Sequence, residues 1–368
     1  MTIIENRLTP KENKRLMRLS LIKDYKDFKY FFIETTDQCN LNCSYCYYSK
    51  RSNNQSNIDP VETIDFLVDK FKKIFITFLG GEPFLNSKFM ERMMERYLTN
   101  SNIIFSTNTN GTVIDKLNPT YLPSFLLHYI SIEGKKDYHD IVRGNGVFDK
   151  ILKNISYIRQ RSSSVLIARM TITDPNQLLV IPELLGSFDA VYWQINNNIN
   201  QLKHNFLSIY KERLYELFLF WKDNIDKNID FAIIPFVGMA DIILKGGIEK
   251  PDLICGAGTN HVCISTQGHI YPCPETRHRN EDLEKLGNID TFIFNPYPLK
   301  ADCKRCNILK YCGGRCVMVH DLLYCHTTHY LYDIINKYLQ DQNEEFLRLI
   351  SEKINYQRNI AYTTEIIP

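Results

Sequence analysis

The 368-residue sequence has no uninterrupted apolar run long enough to span a bilayer. Its first residues, MTIIENRLTPKENKRLMRL, are charged throughout, where a secretory signal would carry an apolar core. Both absences argue for a cytoplasmic protein with no membrane partner. An excess of one charge is missing too. There are 44 Lys and Arg against 42 Asp and Glu, a net +2, which supplies no electrostatic pull towards nucleic acid or an anionic surface. Internal repeats and low-complexity segments are also lacking. What remains is a chain that is 44% apolar and long for one ordinary domain, enough for a full α/β unit and a smaller second module.

Cysteine is absent over most of the chain and dense at two places. Three thiols lie in residues 39–46, none lies between Cys46 and Cys255, and eight fall between 255 and 325. In a reducing cytosol eleven cysteines point to metal ligands rather than disulfides, and an odd count argues against a fully paired set. Two clusters separated by a cysteine-free body suggest two metal-bearing regions with different tasks.

The body alternates strand and helix patterns. Expected strands are YFFIETT (30–36), KIFITFL (73–79), NIIFSTN (102–108), LHYISIE (127–133), SVLIARMTI (164–172) and AVYWQIN (190–196). Helical patterns start at Asp59 with Pro60 behind it, and cover 86–98, 147–160, 175–185 and 207–226. Six strand–helix units without hairpin signals predict a parallel sheet with helices outside, open or curved into a whole or partial barrel. Ligands of such sheets bind at the carboxyl ends of the strands. A strand DFAIIPF (230–236) and a linker KGGIEKPD (245–252) are expected to lead into a loop-rich, cysteine-dense module.

CNLNCSYC (39–46) follows the first strand and presents Cys39, Cys43 and Cys46. Three thiolates can hold a [4Fe–4S] cube by three irons and leave the fourth for another molecule. A zinc site would need a fourth ligand from elsewhere. The second strand ends in Gly80, Gly81, Glu82 and Pro83. Two glycines allow close backbone approach, and Glu82 offers a carboxylate suited to an ammonium group, although the same four residues also make an ordinary tight turn.

CNLNCSYC followed by GGEP resembles the radical S-adenosylmethionine (radical SAM) enzymes. The resemblance implies a partial (β/α)6 barrel in which the methionine amino and carboxylate groups of S-adenosylmethionine chelate the vacant iron. NTNGTVI, beginning at Asn108, looks like the turn after that family's third strand, and ISIEG with HDIVRG resembles its ISxDG…HDxxRG stretch. By that likeness Ser131 sits near the ribose, Arg143 pairs with the methionine carboxylate, and the backbone of Tyr45 contacts the adenine. Glu133 departs from the usual Asp, a change expected to be tolerated in a loop.

In the C-terminal run, GHIYPC, CKRCNILKYCGGRC and a last cysteine resemble the SPASM auxiliary-cluster domain, small, loop-rich and iron–sulfur binding; two structural zincs are the alternative. The likeness implies one auxiliary [4Fe–4S] cluster on Cys255, Cys263, Cys273 and Cys316, and another on Cys303, Cys306, Cys312 and Cys325. With the first three thiols, every cysteine then has a place. Full thiolate ligation, Cys263 included, suits electron transfer rather than capture of a substrate thiol. His326 and His329 beside Cys325 are further possible ligands, though solvated or capping histidines are commoner.

The expected organisation is a helical lead (1–28), a radical SAM barrel (29–200), a helix and linker region (201–250), a SPASM domain (251–330) and a C-terminal helix and tail (331–368). The expected function is reductive cleavage of S-adenosylmethionine to a 5′-deoxyadenosyl radical that takes hydrogen from a peptide or protein, a peptide-modifying maturase. A reducing partner such as ferredoxin or flavodoxin is implied. Too few residues precede Cys39 for a leader-peptide recognition domain, so a separate recognition protein is a candidate partner. The enzyme alternative is an anaerobic sulfatase maturase. That group has an Asp as base directly after the position of Cys273, whereas this chain has Pro274, with Glu275 next as the candidate catalytic substitute. A non-catalytic iron–sulfur electron carrier or redox sensor is the alternative of another class.

Overall fold

The computed structural model describes residues 28–48, 54–196, 198, 202, 204–227, 232–248, 253, 255–279, 285–296, 298–316, 321–348 and 350–351. The expected helical lead and the end of the tail lie outside them. The chain forms two compact units, each assembled from several stretches.

The first unit takes residues up to Ser131, Arg143–Leu166 and Asn260–Phe294. Its sheet begins with β1 (Lys29–Thr36), β2 (Ile74–Gly80), β3 (Ile103–Thr109) and β4 (Phe125–Ser131), each parallel to the next. β2 and β4 are nearly continuous apolar runs, and β3, apolar only in its first half, is buried almost throughout, as befits strands covered on both faces. Helix α1 (Pro60–Lys70) starts as its sequence suggests. Asp59 accepts from the amides of Val61 (2.8 Å) and Glu62 (3.0 Å), and Pro60 fills the first turn, where no amide is needed. Helix α2 (Ser87–Met94) joins β2 to β3, while two short 3-10 turns, Ile114–Lys116 and Pro119–Ser124, precede β4.

The cysteine-dense segment contributes more regular structure than a loop-rich reading expects. β8 (His261–Ile264) pairs parallel with β1, and β9 (His269–Tyr271) and β10 (Gly287–Asn288) follow antiparallel, giving the order β10-β9-β8-β1-β2-β3-β4 in this unit. Buried Cys263 is therefore a strand residue, beside β1.

The second unit takes Ile132–Val142, Ile167–Thr259 and the chain from Asn295. β5 (Val165–Ile172), β6 (Ala190–Ile195) and the two-residue β7 (Ala232–Ile233) run parallel. The expected strand over 230–236 is a correction: among its described residues, 232–236, only β7 is strand, and Pro235 lies in the first turn of helix α6 (Ile234–Leu244). This helix is buried nearly all round, so its apolar run has no helical stripe to betray it. α6 packs with α5 (Phe206–Lys227) and α9 (Leu322–Gln340) around a core of Trp193, Phe218, Trp221, Phe236 and Tyr338. Trp193 Nε1 donates to Tyr210 Oη at 3.0 Å, which gives this buried indole its partner. Among the described residues the remaining α-helices are α3 (Lys136–Arg143), α4 (Val147–Arg161), α7 (Pro274–Arg279) and α8 (Leu309–Cys312), and the expected helix over 175–185 is a 3-10 helix, Pro175–Leu184. Among the described residues no helix is long and apolar enough to cross a membrane.

Candidate active site and cluster sites

β1 ends at Thr36 and the chain enters the three-thiol loop, where Cys39 and Cys43 are half-buried and Cys46 is exposed. The end of β2 grips the entry to this loop. Gly81 N–H donates to Thr36 O (2.9 Å) and Glu82 N–H to Gln38 O (2.7 Å). A Cβ on Gly81 would stand 2.1 Å from Gln38 O, and one on Gly80, at φ +146°, 2.2 Å from Thr36 O. The glycine pair thus lets two backbones meet, and the amides of residues 81 and 82 are engaged by the cysteine loop.

Glu82 is completely buried. Its carboxylate accepts from Thr109 Oγ1 (2.7 Å), Asn110 N (2.8 Å) and Phe84 N (3.3 Å). A carboxylate has about four lone-pair positions, so three protein donors leave room for one more. Burial pushes its pKa from the ordinary 4.5 up to about 7, against the pull of these donors and of Arg143. A ligand ammonium would offset that desolvation. Because the folded value exceeds the unfolded one, this group's contribution to stability is complete below pH 4.5 and lost as pH rises through about 7, roughly 3 kcal/mol in all. Urea midpoints of iron-free wild type and Glu82→Gln should therefore diverge between pH 5 and 8, with the wild type losing more.

Arg143 closes α3, 8% exposed. Its Nη1 lies 3.8 Å from Cys43 Sγ, and its guanidinium sits 5.5 Å from the ring centroid of Tyr45. One cation and one carboxylate beside a three-thiol loop match the two charges of an amino-acid zwitterion. Pro83 begins the turn after Glu82, its carbonyl accepting from Thr35 Oγ1 (3.2 Å). Asn108 and Ser131 stand half-buried at the carboxyl ends of β3 and β4, which run parallel. Glu133 is not a solvent-facing loop residue. It is fully buried, its carboxylate accepts from Thr171 N (2.8 Å), and its own amide donates to His139 Nδ1 (3.1 Å).

Two groups escaped the sequence reading. Asn110 Nδ2 donates to Asn40 Oδ1 (2.9 Å) and reaches Cys39 Sγ at 3.8 Å, while Asn40 Nδ2 donates to Thr112 Oγ1 (2.8 Å). This network ties the turn after β3 to the cysteine loop; its only signal was the polar run NTNGT. The second is a buried charge cluster. Arg277 on α7 pairs with Glu34 and with Asp37 (3.2 Å), and His278 Nε2 meets Glu34 Oε1 at 3.0 Å. Tyr48 lies on His278, ring centroids 3.7 Å apart. Its hydroxyl is buried with no hydrogen-bond partner among the described residues, and Cys46 and Cys263 both act on it electrostatically. An orphaned hydroxyl between thiols is what a sulfide-bearing cluster would satisfy.

Cys263 and Cys273 lie in the first unit. Burial pushes the Cys263 thiol well up and Cys273 to about 12, and each then needs a metal to become a thiolate. Cys255 and Cys316, grouped with them by the resemblance to the SPASM domain, belong to the second unit. Glu275 is half-buried in the first turn of α7.

The second unit brings the other four thiols within electrostatic reach of one another. Burial and the thiols of Cys325 and Cys306 raise Cys303; burial raises Cys312 to about 11, with Arg315 and the Gly314 amide opposing. Between Cys312 and Cys316 the chain takes three successive positive φ values, 63° at Gly313, 84° at Gly314 and 55° at Arg315. Backbone wound this way turns its N–H groups to one side and favours an anion there. Among the described residues no three Cys, His, Asp or Glu side chains are gathered to hold a single ion. A cubane takes each thiolate on a separate iron, so its ligands are spread wider.

Residues 33–176 match the profile of the Radical SAM superfamily. The chain is similar to the cysteine-type anaerobic sulfatase-maturating enzyme of Clostridium perfringens strain 13, 26% identical over 369 residues and covering 88% of this chain and 96% of that one. Its fold is similar to that of native anSMEcpe with bound AdoMet and Cp18Cys peptide (TM-score 0.69, 20% identity, 89% of this chain and 99% of that). It is also similar to Streptococcus suis SuiB bound to precursor peptide SuiA (TM-score 0.58, 15% identity, 83% and 76%). Residues 33–176 are a radical SAM domain, and the protein is an enzyme similar to SPASM-type radical SAM enzymes, which bind a [4Fe–4S] cluster with S-adenosylmethionine.

Proposed function

We propose that the protein oxidatively modifies a side chain of a peptide or protein. Bound to the three-thiol loop, the cluster and S-adenosylmethionine supply a carbon radical that removes hydrogen from an unactivated C–H bond. The chain's own part begins with Cys39, Cys43 and Cys46 as the three ligands. Glu82 receives the ammonium and Arg143 the carboxylate of the methionine moiety; the pair flanking the thiol loop is the observation that carries this reading. Tyr45, Gly80, Gly81, Pro83, Asn108 and Ser131 complete the proposed pocket. Cys255, Cys263, Cys273 and Cys316 would hold one auxiliary cluster and Cys303, Cys306, Cys312 and Cys325 the other, carrying away the second electron of a two-electron oxidation. The proposed segmentation is a radical SAM region at 29–200 and a SPASM region at 251–330.

The peptide substrate is supported by relatives: one matures sulfatases, and two neighbours were solved with peptides bound. Their coverage of nearly the whole chain favours sulfatase maturation as the second reading, in which a cysteine side chain becomes an aldehyde. Pro274 weighs against it, since proline has no acid–base group. Glu275 would have to serve as base. Cytoplasmic location, a ferredoxin- or flavodoxin-type reductant and a separate leader-recognition protein belong to the proposal as well.

Incubated anaerobically with S-adenosylmethionine and reductant, the reconstituted protein should form 5′-deoxyadenosine and remove two hydrogens from a peptide encoded beside its gene. Cys43→Ala should do neither. Conversion of a sulfatase cysteine peptide instead would establish the second reading, and an S-adenosylmethionine-independent redox cycle the carrier alternative.

A further inference from the structure

We propose that His329 is a positioning residue for the C-terminal iron–sulfur site, donating a hydrogen bond from Nε2 to the Cys306 sulfur and raising that site's reduction potential. The inference rests on the reading that Cys303, Cys306, Cys312 and Cys325 hold a cluster. His329 Nε2 lies 3.5 Å from Cys306 Sγ, within hydrogen-bond reach of sulfur. The contact joins residues far apart in sequence and is built by α9. Cys325 and His329 are four apart on this helix and share a face, so the helix that presents one thiol also aims an imidazole at another. His326, next to Cys325, is exposed.

Other groups of the second unit act in the same direction. Arg315 interacts electrostatically with Cys312, is held by Thr328 Oγ1 on α9, and lies with its guanidinium 5.3 Å from the Tyr324 ring centroid. Lys300 interacts with Cys303. Four thiolates on a cubane make an anionic centre that becomes more anionic when it accepts an electron. Donors and cations at the sulfurs favour the reduced form and raise the potential. With its proton on Nε2, the imidazole supplies the one direct side-chain donor to these four sulfurs among the described residues. A raised potential makes this centre an electron sink, which a two-electron oxidation of substrate requires once the first hydrogen atom has gone.

The test compares anaerobically reconstituted wild type, His329→Phe and His329→Gln by potentiometric titration followed by electron paramagnetic resonance. Cys312→Ser identifies the signal belonging to this site. All His329 variants should bind as much iron as wild type. In His329→Phe the Cys312-dependent signal should titrate lower. Its reduced-to-oxidised ratio at the wild-type midpoint should drop about tenfold, which is ~59 mV for one electron. His329→Gln, which keeps an N–H, should recover part of the shift, and signals independent of Cys312 should not move. An unmoved midpoint overturns the proposal. So does iron loss in His329→Phe, which would make the histidine a ligand or a support of the site. If no signal depends on Cys312, the four-thiol reading beneath the proposal fails instead.

Discussion

Gly81→Ala is expected to strip iron from the three-thiol loop while the C-terminal site keeps its own. The new methyl would lie 2.1 Å from Gln38 O and 2.4 Å from Gln38 C, and both are backbone atoms just ahead of Cys39. A flexible side chain could swing away; a peptide group held by Glu82 N–H at 2.7 Å can move only by breaking that bond. Overpacking inside a well-packed structure costs about 1–3 kcal/mol even when side chains can adjust. Here the displaced element is the loop that carries the three proposed ligands. Iron and sulfide analysis should show a loss of about four irons per chain, the content of one cubane. 5′-Deoxyadenosine formation should fall by at least about a hundredfold, as expected when a reacting group is displaced by roughly 1 Å. The C-terminal signal lost in Cys312→Ser should persist. Retention of full iron with normal activity would show that the glycine pair is not what shapes the loop.

The second large effect is expected from Arg277→Met. Arg277 faces two buried carboxylates, Glu34 at 0% and Asp37 at 2% exposure, and burial lowers its own pKa to about 10. Removing the cation leaves two acids without their main counter-charge in a desolvated place, a loss of about 3–5 kcal/mol for such buried pairs. The denaturation midpoint of the iron-free protein should fall accordingly at pH 7. Adding Glu34→Gln to Arg277→Met should recover part of the loss, because one buried charge disappears. A single substitution costing less than about 1 kcal/mol would mean that solvent reaches the cluster. Since Glu34 precedes the thiol loop and Arg277 follows Cys273, the same pair joins the strand entering one set of proposed ligands to the helix that follows another.

Local chemistry made much of this fold readable. Asp59 and Pro60 announce a helix start that the structure reproduces, and β1 to β3 fall within one or two residues of their apolar runs. The misses share a cause: partners remote in sequence. The run at 234–244 is helical although its pattern lacks a stripe, because its neighbours cover every side. β8 is a strand because β1 offers it an edge 231 residues earlier in the chain, information that no local window holds. α3, which carries the HDIVR motif, was passed over because it is a short polar helix with few apolar residues to mark a period. At the site, cysteine spacing and GGEP were legible. The supports of Glu82 were not: Thr109 Oγ1 comes from a residue 27 positions on, and the Asn110 amide is a backbone donor, which has no letter in the sequence. Glu34, a charge inside an aromatic strand, was passed over as well, and which cation out of 44 Lys and Arg meets it only the fold could tell.

The most direct test of the central claim is isotope transfer. Candidate peptides, uniformly deuterated at carbon, are incubated with the anaerobically reconstituted protein, S-adenosylmethionine and reductant, and the 5′-deoxyadenosine is analysed by mass spectrometry. One deuterium in the 5′-deoxyadenosine, together with a peptide that has lost hydrogen, is the predicted result. 5′-Deoxyadenosine formed without deuterium and beside unchanged peptides would contradict a peptide substrate, and no 5′-deoxyadenosine from fully loaded, reduced protein would contradict radical SAM chemistry itself.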